Sequence, residues 1–139
     1  MKAIYLILVF TCFSISGYAQ LSLLGKNEND VLAQAPSEKF ILNNRSVKRL
    51  GADSVVILTF FPNNPDDTVT NFTKTFFIRN EVCKSYMLTY FIKELPNFIQ
   101  AINSKYKRID DTHWIDNNAY YQGTLVISKD TFSMSFEKL

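Results

Sequence analysis

One nine-residue stretch, RIDDTHWID at residues 108–116, carries the residue types most often used for proton transfer and metal binding. It contains His113, the one histidine of the chain, together with Asp110, Asp111 and Asp116. On a strand, Asp111 and His113 would share one face, so that the carboxylate could orient the imidazole. A catalytic triad would also need a nucleophile, and the sequence has no Gly-x-Ser-x-Gly elbow. We therefore expect an ordinary strand with polar ends here.

Cys83 is the second candidate for chemistry, because Cys12, the other cysteine, lies in an N-terminal leader whose residues do not fit a lipoprotein signal. A lone thiol becomes a nucleophile only beside a base that lowers its pKa. The favoured interpretation is a buried side chain that behaves as a small hydrophobe. One histidine and one cysteine outside the leader are too few for a typical zinc site. We therefore expect no metal and no cofactor.

The first twenty residues, MKAIYLILVFTCFSISGYAQ, follow the pattern of a secretory signal peptide. Lys2 precedes an apolar segment that is too short to span a bilayer. Small residues before Gln20 predict cleavage after Ala19, so that residues 1–19 form the signal peptide and residues 20–139 form a single domain. We expect an exported protein, periplasmic or extracellular, with no transmembrane segment in the mature chain.

The charges of the chain are nearly balanced, with 15 basic against 13 acidic side chains. Removal of Lys2 with the leader lowers the formal net charge from +2 to +1. The sequence has no run of lysine and arginine and no basic stripe, so nothing in it favours binding of nucleic acid or of an anionic membrane.

Apolar periodicity predicts two helices. Asn27 is suited to cap a short helix over residues 28–35, which Pro36 would end. In ELPNFIQAINSKY the apolar residues fall on one helical face, and Pro96 suits the first turn. That face carries Leu95, Phe98, Ile99, Ile102 and Tyr106.

The rest of the chain has the β-branched and aromatic composition of strands. The clearest strands cover residues 54–61, 72–79, 82–92, 112–116, 119–128 and 131–138. We therefore expect an α+β fold in which an antiparallel sheet of five to seven strands has the amphipathic helix packed on one face, with a short N-terminal helix at its edge. The predicted core is Val56, Leu58, Phe60, Phe76, Ile78, Leu88, Phe98, Ile99, Ile102, Trp114, Leu125, Ile127, Phe132, Met134 and Phe136.

Polar residues at a spacing of two recur along the predicted strands, which is typical of a sheet with one wet face. The last strand places Ser133 and Ser135 on the face opposite Phe132 and Met134, and Thr73 and Thr75 have the same spacing in an earlier strand. These four hydroxyls, Thr73, Thr75, Ser133 and Ser135, are the candidate ligand-binding residues. They form either a flat polar surface for a glycan or a partner protein, or simply an exposed face, since threonine suits exposed strands.

The segment LLGKNENDVL, residues 23–32, resembles the start of small exported bacterial envelope proteins whose mature domain opens with a Leu-Gly-Lys helix and continues into an antiparallel sheet. The β-lactamase-inhibitor-protein-like folds and the outer-membrane assembly lipoprotein BamE begin in a similar way. Here Ala35-Pro36-Ser37 follows the helix, without the glycine of that pattern. The resemblance implies a binding or scaffolding module of the cell envelope and carries over no functional residue.

Three classes of function remain from the sequence. The first is a non-catalytic module that binds an envelope protein or a glycan through the polar sheet face. The second is a carrier of a small apolar ligand, held in a sheet curved around the second helix. The third is a small hydrolase that uses Cys83 or His113 with an aspartate. Binding needs no sequence motif whereas catalysis usually leaves one, so we expect the first class and not an enzyme.

Overall fold

The computed structural model describes residues 21–37, 39–64, 66 and 72–139. The predicted signal peptide and its cleavage site after Ala19 lie outside these residues. In the part of the chain that is described, no helix is long and apolar enough to cross a membrane.

The described residues form one eight-stranded antiparallel sheet and two short helices. The strand order is β1-β2-β3-β4-β8-β7-β6-β5. A 3-10 turn, Ile92–Glu94, leads from β4 into the second helix. The elements are α1 (Glu28–Gln34), β1 (Phe40–Leu50), β2 (Asp53–Pro62), β3 (Phe72–Arg79), β4 (Val82–Phe91), α2 (Leu95–Lys105), β5 (Lys107–Arg108), β6 (His113–Ile115), β7 (Tyr121–Ile127) and β8 (Thr131–Lys138).

The predicted fold class is wrong. The protein is mostly β, with one sheet of eight strands, and not an α+β fold with five to seven strands and an amphipathic helix packed on one face. β1 is rich in asparagine and basic residues, which have low strand propensity, but pairing with all of β2 holds it in the sheet. β5 has only two residues and exists through its pairing with β6. The helices, of 7 and 11 residues, are minor elements beside this sheet.

Local signals place the first helix where the sequence predicts it, and they form a two-residue turn between the strands predicted over residues 72–79 and 82–92. The Asn27 side chain accepts a hydrogen bond from the Asp30 backbone N–H at 2.9 Å and caps α1. Asn80 and Glu81 both have positive φ, 52° and 65°, as a two-residue hairpin between β3 and β4 requires.

α2 contributes its Phe98 and Ile102 side chains to the core. The Phe98 ring lies 5.2 Å from that of Tyr90 on β4 and 5.1 Å from that of Phe132 on β8, measured between centroids. Trp114 of β6 is fully buried, and its indole N–H donates to Asn103 Oδ1 at 2.8 Å. The polar atom of this large side chain is thereby satisfied.

The core prediction is largely confirmed, with three exceptions. Ile127, predicted to be buried, is 56% exposed because it is the last residue of β7, beside the turn into β8. Val56 and Ile99 are only partly buried and pack against the core. The burial expected of Cys83 is confirmed. The core also includes residues that were not predicted to lie in it, namely Leu21, Leu23, Leu24, Val31, Ala35, Phe40, Phe72, Tyr86 and Tyr90.

Candidate functional site

The two faces of the sheet differ in what covers them. Side chains alternate along each strand, so each residue belongs to one face or the other. The face that carries Phe76, Tyr86 and Trp114 is buried, and we call it the core face. The opposite face, which we call the open face, is covered by none of the described helices.

Two rows of side chains cross the centre of the open face from strand to strand. Row A runs through Thr73, Thr89, Ser133 and Val126 on β3, β4, β8 and β7. Row B runs through Asn44, Thr59, Thr75, Met87, Ser135, Thr124 and His113 on β1, β2, β3, β4, β8, β7 and β6. Seven of these eleven residues are threonine or serine.

The structure brings the four predicted binding residues together on this face. Thr73 and Ser133 both lie in row A, separated by Thr89, whose Oγ1 is 2.9 Å from Ser133 Oγ. Thr75 and Ser135 both lie in row B, separated by Met87. Thr75 is only 8% exposed because its neighbours shield it, whereas the other three are half-buried. The Thr89 and Thr124 hydroxyls extend these two rows. They follow the same two-residue alternation in the sequence, but only the strand register shows that they lie beside the four predicted residues.

Neither row contains an aspartate, glutamate, lysine or arginine. Charged residues make up 20% of the whole sequence. They concentrate on surfaces, so eleven solvent-facing positions would ordinarily carry about three charges. The centre of the open face is therefore unusually neutral for a surface that the described helices leave uncovered.

His113 closes row B, opposite Thr124. Its Nδ1 lies 2.9 Å from Asp110 Oδ1 and 3.0 Å from Oδ2. The predicted partner was Asp111, which instead forms an ion pair with Arg108 at 3.0 Å. The prediction was wrong because residues 109–112 form a turn. Residues i and i+2 point to the same side only in a strand, so Asp111 does not share a face with His113.

The Asp110 carboxylate is also held by its own turn. It accepts a hydrogen bond from the Thr112 backbone N–H at 2.8 Å. This bond, followed by the one with His113, lowers the pKa of Asp110 to about 2. The arrangement orients the imidazole, but among the described residues no hydroxyl hydrogen-bonds to its other nitrogen, so no triad is formed. Trp114, the next residue, points to the core face, as predicted for a core side chain.

Cys83 lies on the core face, away from His113. The side chain is 2% exposed, and burial raises the pKa of the thiol to about 11. The thiol donates weakly to the Ser85 carbonyl oxygen at 3.6 Å. A protonated, buried thiol is a poor nucleophile, and its position on the other face prevents it from sharing a site with the imidazole.

Lys74 is the unexpected charged group of the core face. It is 5% exposed, and its ammonium lies 4.0 Å from the centroid of the Phe40 ring. Burial lowers the pKa of Lys74 to about 8. No carboxylate of the described residues pairs with it, so the ring is its principal partner.

A surface cavity of about 440 Å³ lies between α1 and the β2–β3 region. Six of its eight lining residues are polar, among them Asn27, Glu28, Asn80 and Glu81, and the two apolar ones are Val56 and Ile78. Such a lining does not suit the small apolar ligand of a carrier. Within the described ranges, no group of three or more histidine, cysteine, aspartate or glutamate side chains is arranged to hold a metal ion.

Comparisons with protein-family models, with curated proteins and with solved structures give no significant match.

Proposed function

We propose that this chain is an exported, non-catalytic binding module and that the open face is its binding surface. The observation that carries the proposal is the strand register, which aligns seven hydroxyl side chains in two rows across neighbouring strands. A surface of this kind presents donors and acceptors at a regular spacing, about 4.8 Å between strands and roughly 6.7 Å along each strand.

The chemistry of the open face supports binding rather than catalysis. Hydroxyl groups without a neighbouring base are weak nucleophiles, and the one imidazole is held at the end of row B by Asp110. Rows A and B cross several strands and contain no aspartate, glutamate, lysine or arginine, which suits recognition of an extended surface more than of a small charged molecule.

The predicted export of the chain sets where a partner would be found. The signal-peptide pattern of residues 1–19 directs it to the periplasm or the exterior, so an envelope protein or glycan is the partner class that we propose. Intact-mass measurement of the protein recovered from the cell envelope tests this part. We expect a chain that lacks residues 1–19, and a full-length mass would contradict it.

Site-specific photocrosslinking tests the binding surface. A benzophenone amino acid would replace Ser135 at the centre of the open face, or Asn118 in the exposed turn between β6 and β7 as the matched control. After irradiation of whole cells, we expect a defined adduct from position 135 and none from position 118.

Two results would contradict the proposal. One is the absence of any adduct from position 135, or from a second probe at Thr89, in a protein that is folded and exported. The other is an equal adduct from the control position, because that would show that the open face has no preference as a contact surface. Tandem mass spectrometry of the adduct identifies whether the partner is a glycan or a protein.

A further inference from the structure

We infer that the partner of the open face is a second copy of this chain, packed face to face through a two-fold axis. The inference rests on the proposed function, since it assigns a partner to the same surface. Two antiparallel sheets commonly pack in this way, about 10 Å apart, with their inner side chains interdigitated. Among the described residues the core face is already filled, and the open face is the one that no described helix covers, so the open face is the one we assign to such a sandwich.

The size of the open face is sufficient for a stable dimer. Each position on a sheet face occupies about 32 Å², from the spacings between and along strands. The strand pairs place about thirty residues on this face, which corresponds to roughly 900 Å². A standard protein interface buries about 800 Å² on each partner.

The chemistry of rows A and B is complementary to itself. A hydroxyl group is both donor and acceptor, so a threonine or serine can pair with another across a two-fold axis. Because rows A and B carry no charged side chains, the rows of two copies can face each other without repulsion between like charges. For the same reason, the rows do not call for an oppositely charged partner. Met87, at the centre of row B, adds an adaptable apolar contact.

The surroundings of the two rows have the composition of an interface rim. Apolar side chains lie next to the rows, with Ile57 and Phe77 in the adjoining row. Charged side chains occur farther out, where Arg79 forms an ion pair with Asp53. A centre depleted of charged residues and a polar rim are typical of protein interfaces.

The sheet edges offer a less suitable route to self-association. β1 is long, but a bulge between Leu42 and Asn44 and basic side chains at Lys48 and Arg49 protect it against strand addition. The opposite edge, β5, has only two residues. Association through the open face therefore remains the favoured geometry.

Sedimentation velocity of the purified chain, in the form that the cell exports, tests this inference. We expect a dimer at tens of micromolar protein. Met87→Lys and Ser135→Lys each place two like charges at the centre of the interface, so we expect the dissociation constant to rise about a hundredfold or more. Asn118→Lys is the matched control, because this exposed turn residue lies away from the open face.

Circular dichroism and thermal unfolding verify that each variant is folded. A wild-type protein that is monomeric at the highest accessible concentration would overturn the inference, and so would a dimer that persists in both open-face variants. The crosslinking experiment distinguishes a failure of self-association from a failure of the proposed binding function. An adduct of Ser135 with a different molecule, beside a monomeric chain, would overturn self-association and leave the binding surface intact.

Discussion

The two faces of one sheet are built from the same strands and differ in the chemistry of their centres. The core face carries stacked rings, such as Tyr86 against Phe136 with centroids 5.0 Å apart. The centre of the open face carries the hydroxyls of rows A and B, and rings such as Phe77 and Phe91 lie beside these rows. An antiparallel sheet permits this contrast because successive residues of a strand point to opposite sides.

The contrast is clearest on β3, where it reverses the usual placement of charge. Thr73 and Thr75 point to the open face, so the residue between them, Lys74, must point to the core face. Strand alternation therefore buries a lysine beside the Phe40 ring while the centre of the solvent-facing side remains uncharged. The geometry of one strand outweighs the preference of a single side chain for water.

A charge introduced on the core face should have the largest effect. Phe98→Asp buries a carboxylate among rings, so we expect a loss of about 4 kcal/mol or more and an unfolded chain. Phe91→Asp is the matched control, because Phe91 lies on the open face and is 48% exposed. Urea denaturation followed by near-ultraviolet circular dichroism measures both, and an equally stable, folded Phe98→Asp protein would contradict the assignment of the faces.

Removal of the buried charge at Lys74 should have an intermediate, stabilising effect. The folded-state pKa of about 8 lies below the ordinary value of 10.5. Between pH 8 and pH 10.5, Lys74 is protonated in the unfolded chain and largely deprotonated in the folded chain. The free energy of unfolding therefore rises with pH across this range, by roughly 3 kcal/mol in total. Lys74→Met should abolish this rise and stabilise the protein by about 2 kcal/mol at pH 7, allowing for the lost cation–π contact with Phe40.

The difference between Lys74→Met and wild type is the informative quantity. The raised pKa of Cys83 lowers stability above pH 9, but it does so in both proteins and cancels. Lys129→Met, at an exposed turn lysine, should change nothing. Stability curves that remain parallel for wild type and Lys74→Met from pH 8 to 10 would show that the ammonium is not buried.

Removal of a polar contact on the open face should have the smallest effect. Thr89→Val and Ser133→Ala delete the two hydroxyls that lie 2.9 Å apart. Because both are half-exposed and water can replace the lost bond, we expect a coupling energy below about 1 kcal/mol in a double-mutant cycle. The cycle is measured at a protein concentration low enough to keep the chain monomeric, and a coupling as large as the effects on the core face would contradict the exposure of this pair in the single chain.

Much of the local structure could be predicted from the sequence. The cap at Asn27, the hairpin at Asn80-Glu81 and the extent of α2 depend on residues that are neighbours in the chain. The strands over residues 72–79 and 131–138 were also predicted with their observed ends. The number of strands was not, because β1 and β5 depend on pairing with β2 and β6 rather than on their own composition.

The candidate site likewise has one feature that the sequence predicts and one that it does not. The alternation of Thr73 with Thr75, and of Ser133 with Ser135, predicts that each pair shares a face of its own strand. It does not predict that the two pairs are aligned through Thr89 and Met87, because register is set by turns and long-range pairing.

The sequence by itself determined the two-residue alternation, the helix caps and the amphipathic helix, because these depend on contacts within a few residues. Only the tertiary structure decided which strands are neighbours, that Asp110 rather than Asp111 holds His113, and that Lys74 is buried. Each of these depends on residues far apart in the chain or on the path of a turn, and a pattern along one segment carries no information about either.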